Sequence, residues 1–122
     1  MKLLVTAEEP DLYALVDEEF GHSSFFVIFD TNTGNWEAFP NQAPQAGVGA
    51  GIFAAEQAIK LGPEVVLTGY IGPHGQKKLE SAGIKIIQDE EGTVASAIEK
   101  WMKKNPSQCK ASAAPARTAP PE

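Results

Sequence analysis

The chain has 122 residues, of which 43% are hydrophobic, and this is enough for one folded core but not for two. Sixteen acidic and ten basic residues give a formal net charge of -6, which argues against a protein whose main task is to bind nucleic acid. No apolar run approaches the ~20 residues that span a bilayer, and the residues before Glu8 are too few for a signal peptide, so we expect a cytoplasmic protein with no membrane partner. The single cysteine, Cys109, excludes an intrachain disulfide and a cysteine cage for a metal.

The first half of the chain is predicted to form three strands that follow one another without a helix. Residues 3–6 are an apolar run, and the polar segment 7–19 lacks periodicity and is predicted to be a loop. Strands are predicted at 25–29 and 36–39, and the turn residues 30–34 between them predict a hairpin. Because long ordered loops often have a function, the loop after the first strand is a candidate part of a site.

The second half alternates helices with strands. Helical periodicity and stop signals predict helices over 49–61 and 73–82, a buried strand at 65–67, a last strand at 84–87, and a final helix that Thr93 caps. Strands separated by helices require parallel, right-handed crossovers. The order βββαβαβα therefore predicts an α/β fold with a mixed five-stranded sheet between layers of helices. Ribonuclease-H-like domains have this order of elements.

Projection at 100° per residue predicts which helical side chains face the sheet. In the three helices in turn they are Ile52, Ala55, Ala58 and Ile59, then Gly75, Leu79 and Ala82, then Val94, Ala97, Ile98, Trp101 and Met102. Phe53 falls on the polar side of the first helix, where it either covers the neighbouring loop, the commoner role, or lines a binding mouth.

The composition changes after Lys104 to proline, alanine, serine and lysine, without an apolar period. This predicts a folded domain over residues 1–104 and a disordered tail over 105–122. Cys109 lies in this tail, where a lone thiol is more often incidental than a contact for a cluster or a partner.

Three corners marked by glycine are predicted to meet at one edge of the sheet. The first is Gly47 to Gly51, just before a helix whose free N–H groups and positive dipole end suit an anion. The other two are residues 20–23 and the turn 69–75. If the first strand points up, the second begins at the top and the third and fourth end there. The corners are therefore predicted to converge on the crevice between the first and fourth strands, where the strand order reverses.

Two histidines lie in these corners. His22 could bind a metal cluster through a ring nitrogen or cap the start of its strand, and the residues alone leave both possibilities open. His74, at the second position of a helix, either faces solvent or contributes a ligand. The glycine loop matches neither the P-loop nor the dinucleotide fingerprint, so a nucleotide ligand is not supported.

A nuclease of the ribonuclease-H type is disfavoured by missing chemistry. Such enzymes need several carboxylates around two metal ions, at the first strand, the first helix and the end of the fourth strand. Residues 1–7 and 65–69 contain no carboxylate. We therefore expect no nuclease site of this type.

Several short motifs occur in the order of one protein family. They are Phe20-Gly21-His22 before an apolar strand, Asn41, Gly49-Ala-Gly-Ile-x-Ala-Ala55, Thr68-Gly-x-Ile-Gly-Pro73 and Ala82-Gly-Ile84. Over residues 1–104 the chain resembles the dinitrogenase iron-molybdenum cofactor biosynthesis family, which includes nitrogenase cofactor carriers and orange-protein-like domains. Many members carry histidine or arginine before the Phe-Gly pair. This chain has Glu19 there, whose charge would repel an anionic cluster.

The resemblance implies a ribonuclease-H-like fold and a noncatalytic carrier. Its cargo would be a metal-sulfur cluster or precursor, of iron-sulfur, iron-molybdenum or molybdenum-copper type, held noncovalently and passed between donor and acceptor proteins. His22 and His74 are the candidate metal ligands within a site made of Gly21, His22, Ser23, Gly47, Gly49, Ala50, Gly51, Gly69, Ile71, Gly72 and His74. The alternative is a small interaction or regulatory module that binds a partner peptide or a small anion in the same crevice.

Overall fold

The computed structural model describes residues 1–41 and 50–105, with the backbone alone at Ala50. Within these residues it contains five strands and three helices. They are β1 (Lys2–Ala7), β2 (Phe25–Asp30), β3 (Trp36–Pro40), α1 (Ala50–Leu61), β4 (Val65–Leu67), α2 (Pro73–Ser81), β5 (Lys85–Ile87) and α3 (Val94–Lys104). The predicted order of elements is confirmed, and the bounds differ from the predicted ones by about a residue at either end.

The five strands form one mixed sheet in the order β3-β2-β1-β4-β5. Phe25, at the start of β2, pairs with Ala7 at the end of β1 and with Pro40 at the end of β3. Leu67, at the end of the parallel strand β4, pairs with Ile87 at the end of β5. All these residues lie at one edge of the sheet, which we call the upper edge. The predicted α/β architecture is confirmed, and the finer ribonuclease-H-like assignment stays a prediction.

A hydrophobic core lies on each face of the sheet, because successive residues of a strand point to opposite faces. Leu3 and Val5 of β1 pack on the side of α3, together with Ile98 and Trp101. Leu4 faces the opposite side, which α1 and α2 cover. The core on that side includes Phe26, Ala54, Ala58, Val66 and Leu79.

The buried face of α1 differs from the predicted one. Its buried residues are small: Ala54, Ala55 and Ala58. Ile59 is only partly buried, and the prediction that Ile52 is buried is wrong, since it is 40% exposed. Small side chains allow α1 to approach its neighbours closely, as shown by a Cβ placed on Gly75 of α2, which would lie 3.1 Å from the carbonyl oxygen of Gly51. Ile52 lies in the first turn of α1, at the upper edge.

The other two helices follow the predicted pattern with one exception. Ala82 is exposed and lies after the end of α2, because the chain turns at Gly83, where φ is +82°. In α3 all the predicted apolar residues are buried. Thr93 caps this helix as predicted, and its side-chain oxygen accepts a hydrogen bond of 3.1 Å from Ser96 N.

Backbone hydrogen bonds hold the long connection from β1 to β2, residues 8–24, against the upper edge. Val16 N donates to Gly92 O and Phe20 N donates to Tyr70 O, both at 2.8 Å. Val16 enters the core on the side of α3, whereas Phe20 enters the core on the side of α1 and α2. The connection therefore crosses the upper edge from one face of the sheet to the other.

Some predictions fall outside the described residues. These concern Gly47, Gly49, Cys109 and the tail beyond Asn105, and they stay predictions. Within the described part of the chain, no helix is both long enough and apolar enough to cross a membrane.

Candidate functional site

Two helices begin side by side at the upper edge, and we call their junction, residues 50–52 and 72–75, the mouth. Neither helix has an acidic residue in its first turn. The N-cap of α2 is Gly72, and no side chain caps this helix. Free N–H groups and aligned peptide dipoles give each helix start roughly +0.5 elementary charge. Since the two first turns are in contact, the mouth is suited to an anion.

The described glycines around the mouth are of two kinds. A Cβ on Gly69 would lie 2.6 Å from the carbonyl oxygen of Glu18, so close packing requires glycine there. At Gly51 and Gly72 no described atom lies within 4 Å of an added Cβ. Glycine inside a helix costs roughly 0.5–1 kcal/mol relative to alanine. Among the described residues, packing therefore gives no reason for glycine at position 51.

An anchored turn carries His22 at the upper edge. Phe20, two residues earlier, is fully buried. Asn41, directly after β3, is also buried. Its Nδ2 donates to the carbonyl oxygen of Ser23 at 2.9 Å and to that of Gly21 at 3.4 Å. The two carbonyl groups on either side of His22 are thus held by one side chain, which fixes the backbone of the turn.

The His22 side chain itself points into solvent. It is 58% exposed, and its Nε2 lies 4.0 Å from Oε1 of the similarly exposed Glu19, an arrangement that contributes little to stability. His74 is also exposed. Among the described residues, no group of three or more histidine, cysteine, aspartate and glutamate side chains could hold a metal ion.

The chain itself fills the gap between β1 and β4, where the strand order reverses. Asp17 N donates to Thr6 O at 2.9 Å, and the buried hydroxyls of Thr6 and Thr68 lie 2.9 Å apart. The backbone of Glu18 packs against Gly69. The connection 8–24 therefore packs over this gap, and the mouth lies beside it, at the first turns of α1 and α2. The crevice as the position of a ligand stays a prediction.

The predicted site residues have different surroundings. Those in or next to the mouth with open space or an exposed side chain are Gly51, Gly72 and His74. Ser23 is fully buried and belongs to the scaffold of the His22 turn. Ile71 is buried as well, and its N–H donates to Oε1 of Gln88 at 3.2 Å. Sequence reasoning did not identify this role of Gln88, because no local pattern links the two residues.

The electrostatic surroundings of the mouth are acidic. Residues 8–19 hold six carboxylates and residues 89–91 hold three, which makes nine of the sixteen in the chain. The connections 8–24, 68–72 and 88–93 contain no lysine or arginine. The positive helix starts therefore act at short range, through direct N–H contacts, and not through a positive surface.

An open mixed sheet with three helices, and an exposed histidine at its upper edge, defines a small α/β domain. The family model for the dinitrogenase iron-molybdenum cofactor matches residues 1–104. The chain therefore belongs to this family, as its motifs predicted.

Several solved structures, including the following two, are similar to this chain. The apo form of the orange protein (ORP) from Desulfovibrio gigas is 41% identical in sequence, with a TM-score of 0.82, over 84% of this chain and 88% of that one. A candidate NifB protein from Thermotoga is 24% identical, with a TM-score of 0.68, over 84% of this chain and 87% of that one. The second likeness concerns the fold alone. A comparison with proteins of curated function finds no match.

Proposed function

We propose that this protein binds a metal-sulfur cluster or its precursor at the mouth and delivers it from a donor protein to an acceptor protein, without catalysing a reaction. The cargo would be of iron-sulfur, iron-molybdenum or molybdenum-copper type. Membership of the dinitrogenase iron-molybdenum cofactor family and the likeness to the orange protein support this cargo class.

The observation that carries the proposal is the pair of adjacent helix starts at Gly51 and Gly72, where no described atom lies within 4 Å of an added Cβ. Metal-sulfur clusters are commonly anionic, and their sulfur atoms accept hydrogen bonds from backbone N–H groups. Without a Cβ at either position, such a cluster can approach the backbone closely. The two partly positive helix ends would offset its charge.

His22 would supply an exchangeable ligand to the same cargo. Its ring is exposed while its backbone is fixed, so a ring nitrogen could reach a metal atom without rearrangement of the fold. A site with one or two histidine ligands and backbone donors leaves coordination positions open. Open positions suit a carrier, since the receiving protein can bind the cluster before the carrier releases it.

The test is anaerobic reconstitution of the full chain, once with iron and sulfide and once with tetrathiomolybdate and copper. Gel filtration and metal analysis follow. We expect metal to elute with the protein in at least one of the two reconstitutions, in a fixed ratio to the chain. If the protein elutes without metal in both, the carrier function is wrong, and binding of a partner peptide or a small anion becomes the better hypothesis for the mouth.

A further inference from the structure

The exposed large apolar side chains of the described residues all lie at the upper edge. They are Leu15, Ile52, Phe53 and Tyr70, each between 40% and 56% exposed. Leu15 belongs to the connection between β1 and β2, Tyr70 to the turn before α2, and the other two to the first turn of α1. Singly exposed apolar residues are ordinary, but their concentration at one edge is typical of an interaction surface.

Most of the acidic side chains lie at the same edge. They are the nine carboxylates of residues 8–19 and 89–91. In the described part of the chain, Glu90 is the one member of this set with a lysine partner, the Nζ of Lys100 at 3.0 Å. The opposite edge carries lysines at the starts of β1 and β5 and in the last turns of α1 and α3. These are Lys2, Lys60, Lys85, Lys103 and Lys104. The opposite edge also holds the carboxylates Asp30, Glu64 and Glu80, so its charges are mixed, whereas the connections at the upper edge carry carboxylates without lysine or arginine.

We propose that the upper edge is a docking surface for a protein partner whose contact surface is basic and carries apolar side chains. Its lysine or arginine side chains would meet the carboxylates, which steers encounter and fixes orientation. The four exposed apolar side chains would be the buried anchors of the interface. Phosphate-bearing partners do not fit, since the carboxylates would repel them.

A partner on this surface would also cover the mouth. The partner would then be the donor or the acceptor of the proposed cargo, and in this one respect the inference rests on the proposed function. The surface itself needs no cargo, so docking and cluster binding can be tested separately.

Two of the apolar anchors, Leu15 and Tyr70, are close enough for one interface. Leu15 and Glu19 are four residues apart, so their Cα atoms are at most about 14 Å from each other. Glu19 in turn forms a β-bridge with Tyr70. A standard interface covers about 800 Å² on each partner, which is wide enough to include both ends of this segment.

The surface is also fixed before a partner arrives. Leu15 forms a β-bridge with Thr93, and Val94 N donates to Ala14 O at 2.9 Å. A groove of about 290 Å³ lies beside Leu15, and Glu8, Glu9 and Asp11 are among the residues that line it. A lysine or arginine side chain of the partner would fit there. An ordered surface loses less conformational entropy on binding than a mobile one.

The test uses the full isotope-labelled chain without metal and two peptide probes. One is a short helical peptide of leucine and lysine, and the other is an oligolysine of equal charge without leucine. We expect the first peptide to shift the backbone amide signals of Leu15, Phe53 and Tyr70 more than those of the lower edge. It should bind about tenfold more tightly than oligolysine, because only the first peptide contacts the apolar anchors.

Two matched variants test the charges. Glu8→Gln, Glu9→Gln and Asp11→Asn together remove three charges from the upper edge, and Glu37→Gln, Glu80→Gln and Glu99→Gln remove three elsewhere. The first variant should bind the leucine-lysine peptide about tenfold more weakly at low salt, and the second should change binding by less than about threefold.

Three results would overturn the docking surface: equal loss in both variants, equal affinity for both peptides, or signal shifts spread evenly over the molecule. None of them bears on metal loading. Conversely, a chain that takes up no metal can still bind the leucine-lysine peptide at the upper edge.

Discussion

His22 and His74 are both exposed at the upper edge, but their surroundings predict unequal roles in cluster binding. His22→Ala should weaken binding by several-fold to about a hundredfold and leave the fold intact, since an exposed side chain contributes little packing. His74→Ala should have a smaller effect, because the start of α2 keeps its backbone N–H donors when the side chain is removed. Metal content after reconstitution and desalting, at matched protein concentrations, measures both variants.

The two variants also control for each other. Each removes one exposed imidazole, so a nonspecific loss of surface metal would affect both equally. Equal metal content in wild type and His22→Ala would remove His22 from the site. The mouth would then bind the cluster through backbone groups alone.

Gly69 and Gly72 lie in the same turn, yet alanine should affect them differently. Gly69→Ala places a Cβ 2.6 Å from a backbone oxygen, so we expect a loss of about 1–3 kcal/mol in the free energy of unfolding. Gly72→Ala meets open space and should stay within about 0.5 kcal/mol of wild type. Urea unfolding measures both. Equal losses would show that packing against Glu18 is not what requires glycine at position 69.

For single residues, the sequence predicted which positions belong to a motif, but it did not predict which atoms their side chains contact. The motif containing Asn41 was visible, but its hydrogen bonds to Ser23 and Gly21 join residues about twenty positions apart. The same holds for Gln88 and Ile71. Such contacts depend on how the strands pair, which no local pattern specifies.

In the first turn of α1, one substitution is expected to raise stability and to lower cluster binding. Gly51→Leu adds a side chain where no described atom lies within 4 Å, and it removes a glycine from a helix. We expect the free energy of unfolding to rise by up to about 0.5–1 kcal/mol, because leucine has the higher helix propensity. Cluster loading should fall, because the side chain occupies the mouth.

Urea unfolding and metal content, measured on the same preparation of Gly51→Leu, test this pair of opposite effects. Gly62→Leu is not a suitable control, since φ there is +78°. Gly51→Ala is the better one, because it improves the helix and fills less space. If Gly51→Leu loads metal as wild type does, the ligand does not approach this helix start.

Element order and bounds could be predicted because alternation in strands and periodicity in helices are local properties. The buried face of α1 could not, since alanine suits either face of a helix and the projection gave more weight to Ile52 than to Ala54. Close contact with α2 selects the small residues, and this contact is a tertiary effect.

The domain as a whole should not need its tail. A chain that ends after Asn105 should keep its melting temperature within about one or two degrees of the full chain, because a segment without an apolar face buries little on folding. Asn105 is retained, since its Nδ2 donates to Trp101 O at the end of α3. Thermal unfolding followed by circular dichroism measures the difference, and a loss of many degrees would show that the tail packs on the domain.

The topology could be predicted from the handedness of crossovers. It placed the three predicted corners at one edge of the sheet, and the described residues of these corners lie there. The path of the connection 8–24 did not follow from the topology. This connection packs over the gap between β1 and β4 through backbone hydrogen bonds and four buried side chains. That connection has no periodicity from which its path could be predicted.

The visible absorption spectrum of the protein, purified under argon from its native organism, tests the proposed carrier function most directly. A metal-sulfur cluster gives charge-transfer bands in the visible range, and a polypeptide without one does not. We predict a coloured protein whose absorbance and content of iron, molybdenum or copper elute together with the chain and fall in His22→Ala. A colourless wild-type protein without these metals would contradict the carrier function.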